Sequence, residues 1–146
     1  MAAADDDDDD FWVVEYPGRP ELGSYREVAP SPAEAERAAA GLRARNVAAR
    51  AYRFDPNEAS KLGELQRAIL QSVQERHSPY PPGTTYERKY RVRDVADKME
   101  RRGFFVTLPY NHPDVVAGGG SYRLTRLGKA ALKALQNGRA LPKKRR

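Results

Sequence analysis

Arg88, Lys89, Arg91 and Arg93 place four cations within six positions, and Lys98 and Arg101 continue the series. Their chemistry is the neutralisation of phosphates, which gives affinity that falls steeply with salt and carries little sequence preference. Arg123 sits in a short alternating stretch outside this series. Lys143, Lys144, Arg145 and Arg146 follow Pro142 as a flexible basic tail, which also matches a crude nuclear-import pattern. Acids temper the series: residues 86–102 hold seven basic and four acidic side chains. Asp94 stands four before Lys98, and Asp97 four before Arg101, the spacing of helical ion pairs worth about 0.2–0.5 kcal/mol each.

Groups that would support catalysis are sparse. His77 and His112 are the only histidines, both in proline-containing loops, with no acid or second imidazole at metal-ligand spacing. Ser60, Ser72 and Ser78 have no base nearby in sequence. The chain lacks cysteine, which excludes disulfides, thiolate metal sites and thiol redox chemistry. Gly118–Gly120 neither follows a strand nor opens a helix with a lysine and a hydroxyl residue, so it is not a phosphate loop. The expectation is a non-enzymatic protein with no catalytic residue, no metal and no cofactor. Tyr52, Tyr80, Tyr86 and Tyr90 are either a stacking platform for single strands or semi-buried packing around the HSPYPPG turn.

Charge points the same way. The formal total is +6 although Asp5–Asp10 contribute six negatives, so the remainder carries +12. Residues 121–146 contain nine Lys or Arg and no acid. Such a field attracts a polyanion or serves solubility alone. The six aspartates repel one another and are expected to stay extended, either as a solvated leader or as an internal competitor for the basic surface. No run of about 18 apolar residues is present and the N-terminus lacks the pattern of a secretory signal. An intracellular protein is expected, cytoplasmic or nucleoid-associated, and nuclear in a eukaryote.

The elements that must position these cations divide at Asp55. FWVVEY (11–16) and SYREVA (24–29) read as strands. Ser31, Pro32 and Glu34 form a helix start, with Ala35, Ala38, Ala39 and Leu42 as its stripe through about Ala44. VAARAYRF (47–54) alternates as a third strand. DPNE (55–58) repeats the start signal for a helix to about Arg76, in which Gly63 weakens one turn. HSPYPPG ends it. A short helical turn near 85–89, a separate helix near 92–102 stopped by Gly103, a strand through Phe104, Val106 and Leu108, a glycine-tipped loop, the strand SYRLT and a basic helix complete the order. One continuous curved helix over 85–102 is the rival reading. The expected organisation is an acidic tail (1–10), a β-β-α-β domain (11–54), a second domain (55–136) and the tail 137–146.

VRDVADKMERRGFF (92–105) and SYRLTRLGKAAL (121–132) resemble segments of bacterial and archaeal winged helix-turn-helix regulators. In those segments the major helix ends in a Glu-Arg-Arg-Gly step into the wing, and a Tyr-Arg-Leu-Thr strand leads to a helix carrying Gly-Lys-Ala. The similarity covers about residues 57–136. It implies an α+β fold in which the helix before the wing enters the major groove of duplex DNA, with Thr125 capping the closing helix. It also implies regulation or an accessory role as the function. The alternative is a protein-protein adaptor in a larger assembly, its N-terminal domain docking the partner and its basic tails touching RNA or no nucleic acid. A homodimer would suit a two-part site, but no dimer stripe is visible.

Overall fold

The computed structural model describes residues 10–18, 23–109, 111–115 and 120–136. Strands β1 (Trp12–Tyr16), β2 (Tyr25–Ala29) and β3 (Arg50–Arg53) form an antiparallel sheet in the order β2-β1-β3, with Val13 opposite both Val28 and Tyr52. Helix α1 (Pro32–Ala44) lies between β2 and β3, and Ser31 accepts a hydrogen bond from the Glu34 amide at 3.2 Å as its cap. The second half runs through a 3-10 segment (Pro56–Lys61), α2 (Glu64–Arg76), α3 (Lys89–Arg101), the hairpin β4 (Phe105–Thr107) and β5 (Tyr122–Leu124), and α4 (Arg126–Gln136). The result is a small mixed α and β fold with two open sheets, an N-terminal β-β-α-β unit and a helix-helix-strand-strand-helix arrangement after it.

Period-2 alternation in β1 feeds two cores. Trp12, Val14 and Tyr16 face α1, where Ala35, Ala39 and Leu42 meet Ala29, Ala49 and Ala51. Phe11 and Val13 face the other way and join Phe54, Ile69, Leu70, Met99, Phe105 and Leu127 in one larger cluster. Phe11 stacks on Phe54 with ring centroids 4.7 Å apart. That larger cluster draws on residues from both sides of Asp55.

Four local expectations are corrected. The long helix from Asp55 breaks at Leu62. Asp55 caps only the 3-10 segment, and Gly63 becomes the start of α2, its amide donating to Gln66 Oε1 at 2.7 Å. Gly63 thus frees the chain to re-aim instead of weakening a turn. The strand expected from Val47 pairs only over Arg50–Arg53. Helix α3 begins at Lys89, behind the turn Thr85–Arg88, three residues before the expected start. The strand expected through Phe104, Val106 and Leu108 pairs over Phe105–Thr107, with Phe104 and Phe105 both buried in the larger cluster, Phe104 beneath Arg26, and Val106 exposed; Gly103 (φ 86) turns the chain just before them.

The closing helix follows expectation. Thr125 Oγ1 accepts from the Gly128 amide at 3.1 Å, and Leu127, Ala130, Ala131 and Ala134 are buried. The β4–β5 loop is described only in part. Tyr110 and residues 116–119 lie outside the described residues, as do residues 1–9 of the acidic tail and the basic tail 137–146. Asp10, the last aspartate, pairs with Arg53 at 2.8 Å.

One charged side chain lies inside. Arg26, in the middle of β2, is 4% exposed. Its Nε donates to the Arg102 carbonyl at 2.8 Å, and Nη1 donates to Glu58 Oε1 at 2.8 Å and Tyr52 Oη at 3.3 Å. Removing one member of a buried pair leaves the other uncompensated. Arg26→Ala is expected to lower stability by about 3–5 kcal/mol, whereas Arg53→Ala, at an exposed pair, costs about 0–1 kcal/mol. Urea unfolding of both variants checks the contrast.

Candidate nucleic-acid interface

Helix α3 buries Val92, Ala96 and Met99 and half-buries Val95, which divides its remaining side chains into three facets. On one flank Arg88, Arg91, Val95, Lys98 and Arg102 line a cleft of about 1310 Å³. Its opposite walls come from β3, the 3-10 segment and the start of α2, including Arg50, Tyr52, Lys61, Leu62 and Leu65. On the other flank lie Lys89 and Arg93, beside the turn that ends α2. The Lys89 ammonium sits 5.8 Å from the centroid of the Tyr80 ring, and Arg93 hydrogen-bonds toward the Tyr80 hydroxyl, which raises its already high pKa. Between the flanks run Tyr90 and Asp94, both exposed, and Asp97 and Arg101, both half-buried, with the exposed Tyr86 just before the helix.

The cations expected to act together are thus separated. Arg88, Arg91 and Lys98 share the cleft, Lys89 and Arg93 share the Tyr80 side, and Arg101 donates to the Asp97 carbonyl at 3.4 Å instead of to its carboxylate. Lys98 stands 3.9 Å from Asp94, the expected helical pair. Arg123 is held in the β4–β5 hairpin. Its guanidinium donates to the carbonyls of Gly120 (3.1 Å), Tyr122 (2.9 Å) and Asp114, so it ties the loop to β5. Lys143, Lys144, Arg145 and Arg146 lie outside the described residues.

Of the four tyrosines read as either a stacking platform or semi-buried packing, Tyr86 and Tyr90 form an exposed pair. Tyr86 is 74% and Tyr90 62% exposed, and their rings meet edge to face at 6.4 Å. Neither is semi-buried packing. The signal was present in their spacing of four, which puts both on one side of a helical turn, away from Val92 and Met99. Tyr52 does take a half-buried role, in a polar cluster at the inner end of the cleft.

That cluster fixes the cleft walls. Glu15 accepts from Tyr52 Oη and Arg102 Nη1, both at 2.8 Å, from Arg50 Nη2 at 3.1 Å, and from the Ser24 hydroxyl. Burial by itself would raise the Glu15 carboxyl, but hydrogen bonds from Ser24, Arg102 and Tyr52 outweigh it and lower its pKa to about 2. For Arg26, burial opposes the charge while the Glu58 hydrogen bond and carboxylate more than restore it, and its pKa rises. The Tyr52 hydroxyl is pushed up, by burial first and by donation to Glu15, against the pull of Arg26.

Among the described residues no group of three or more His, Cys, Asp or Glu is placed to hold a metal ion, and no helix is long and apolar enough to cross a membrane. His112 uses Nδ1 to accept from the Asp114 amide at 3.0 Å within the β4–β5 loop.

No protein-family model matches the chain, and neither does any curated protein or solved structure. The arrangement from α2 to α4 is compatible with a winged helix-turn-helix, and the whole is compatible with a nucleic-acid-binding or protein-binding module.

A carboxylate lowered on folding stabilises above its unfolded pKa and loses that contribution as pH falls through the folded one. For Glu15 the window runs from about 4.5 down to about 2. Glu15→Gln is expected to be less stable than the natural chain at neutral pH and to show a shallower loss of stability across that window. Urea midpoints measured as a function of pH test this.

Proposed function

We propose that the chain is a non-enzymatic nucleic-acid-binding protein that meets duplex DNA through the N-terminal half of α3, in the manner of a winged helix. The observation that carries this reading is the composition of residues 86–93. Tyr86, Arg88, Lys89, Tyr90, Arg91 and Arg93 are all exposed, and none of these four cations forms an ion pair among the described residues. A first turn without acid, rich in arginine and tyrosine, suits phosphate contact, because guanidinium, ammonium and phenol groups all donate to phosphate oxygens. A helix also fits the width of the major groove.

Glu87, just before the helix, is the one acid of this stretch, and Asp94, Asp97 and Glu100 lie further along. Asp94, 73% exposed at its side chain, and Asp97 sit on the ridge between the flanks, so the helix is best approached by phosphate at its N-terminal end and repels it in the middle. Binding should therefore be strong in salt dependence and weak in base discrimination. Arg123 contributes by shaping the wing, since its guanidinium is already engaged by loop carbonyls. The described surface gives no reason to invoke a dimer.

Affinity for random-sequence duplex DNA across a salt series is the direct test. Alanine at Lys89, Arg91 or Arg93 is expected to weaken binding and to lower the salt slope by about one for each phosphate that is no longer neutralised. Asp94→Ala combined with Asp97→Ala should tighten binding by removing repulsion. Tyr86→Ala with Tyr90→Ala should weaken it while shifting stability by no more than about 0.5 kcal/mol, as expected of exposed side chains. Absence of duplex binding at low salt would defeat the proposal and leave the fold untouched.

A further inference from the structure

The cleft has features that a duplex cannot use. Its floor is aliphatic: Leu62, Leu65 and Val95 are half-buried there, beside the buried Val92 and Met99. Phosphate and sugar offer nothing to cover such a floor. Single-stranded bases need aromatic faces to stack on, and the two rings in the lining are occupied. The Arg50 guanidinium lies 4.4 Å from the Tyr52 centroid, and that of Arg26 lies 5.2 Å from the Phe104 centroid.

The rim is basic. Seven Lys or Arg and four Asp or Glu line the cleft, an excess of three positive charges. Arg26 with Glu58, and Arg50 and Arg102 with Glu15, are paired at the inner end. One positive charge of the excess stays at the inner end and two lie outward, where Lys61 stands with Asp55 and Glu64 on one wall and Arg88, Arg91 and Lys98 on the other; Lys61, Arg88 and Arg91 are exposed and without an ion pair among the described residues. Aliphatic below and cationic above, the cleft is complementary to a chain segment with aliphatic side chains on one side and carboxylates on the other.

We propose that this cleft docks an acidic, amphipathic peptide segment of a protein partner, its aliphatic side chains on the Leu62–Leu65–Val95 floor and its carboxylates at Lys61, Arg88 and Arg91. Docking and duplex binding share Arg88 and Arg91 and differ in the rest: the peptide also uses Lys61 and the apolar floor, and the duplex also uses Lys89, Arg93 and the Tyr80 side of α3. The apolar floor supplies most of the affinity, and the rim charges select against basic segments and speed encounter.

The test uses the full chain and a fluorescently labelled helical peptide with leucines on one face and glutamates on the other, followed by anisotropy. Saturable binding is expected, weakened about tenfold by Lys61→Glu, the size of effect that reversal of one rim charge can produce. Lys61 is exposed and on the wall facing α3, so the variant folds and its duplex affinity stays unchanged. Val95→Arg blocks the floor and adds a positive charge, and is expected to abolish peptide binding while duplex affinity holds or rises. The same peptide with serines for leucines should not bind. Equal binding by the serine peptide, indifference to Lys61→Glu, or displacement of the peptide by a single-stranded oligonucleotide that Val95→Arg also rejects would each overturn the proposal. Loss of duplex binding alone would not.

Discussion

A single guanidinium holds the molecule to one shape. Arg26 starts in the middle of a strand, crosses to the carbonyl at the end of a helix 76 residues later, and meets a carboxylate from the 3-10 segment between them. Each bond compensates part of the cost of taking a charge from water, and none does so alone. The sheet, the 3-10 segment and α3 must therefore arrive together for any of them to be well placed. One nitrogen, Nη2, has no partner in the described residues, which leaves the network short of full satisfaction. A less constrained apolar residue would pack the same space with fewer directional demands. What Arg26 adds is the angle at which the two halves meet.

That angle decides what the outside of the protein offers. With the C-terminal end of α3 fixed against β2, one flank of the helix looks across a cleft at β3 and the other looks at the turn after α2. The cations distribute accordingly, and a row that reads as one cluster along the chain becomes two groups with a tyrosine and aspartate ridge between them. Glu15 reinforces the arrangement from the sheet side by taking Arg102 and Tyr52 together. The electrostatics of the surface thus follow from the buried network and not from composition alone.

Features set by neighbouring residues were legible in the sequence. The caps at Ser31, Asp55 and Thr125, the stop at Gly103, the strands 11–16 and 24–29 and the abrupt start of the last helix all follow from local chemistry. Features set by distant partners were not. Arg26 alternates like any solvent-facing residue of an amphipathic strand, and nothing beside it announces Glu58 or Arg102. The break at Gly63 is hidden because Leu62, Leu65 and Ile69 keep helical spacing across it. The cleft is assembled from five separated segments, from Glu15 and Arg26 in the sheet to residues 50–68, 81–84 and 88–104, so its residues look unrelated in order of sequence. Tyr86 and Tyr90 carried a usable signal, their shared spacing, but aromatic residues beside a proline-rich turn read equally well as packing.

Gly103 gives this arrangement a mechanical sense. A side-chain carbon there would stand 2.7 Å from the Arg26 carbonyl, so the chain leaving α3 presses directly on the backbone of β2. The helix is accordingly clamped at its last turn, while Val92 is its first buried side chain and everything before it overhangs. It is built like a cantilever. Anything that grips residues 86–91 holds the exposed end of a helix whose buried stripe rests on α2 and whose last turn rests on the backbone of β2.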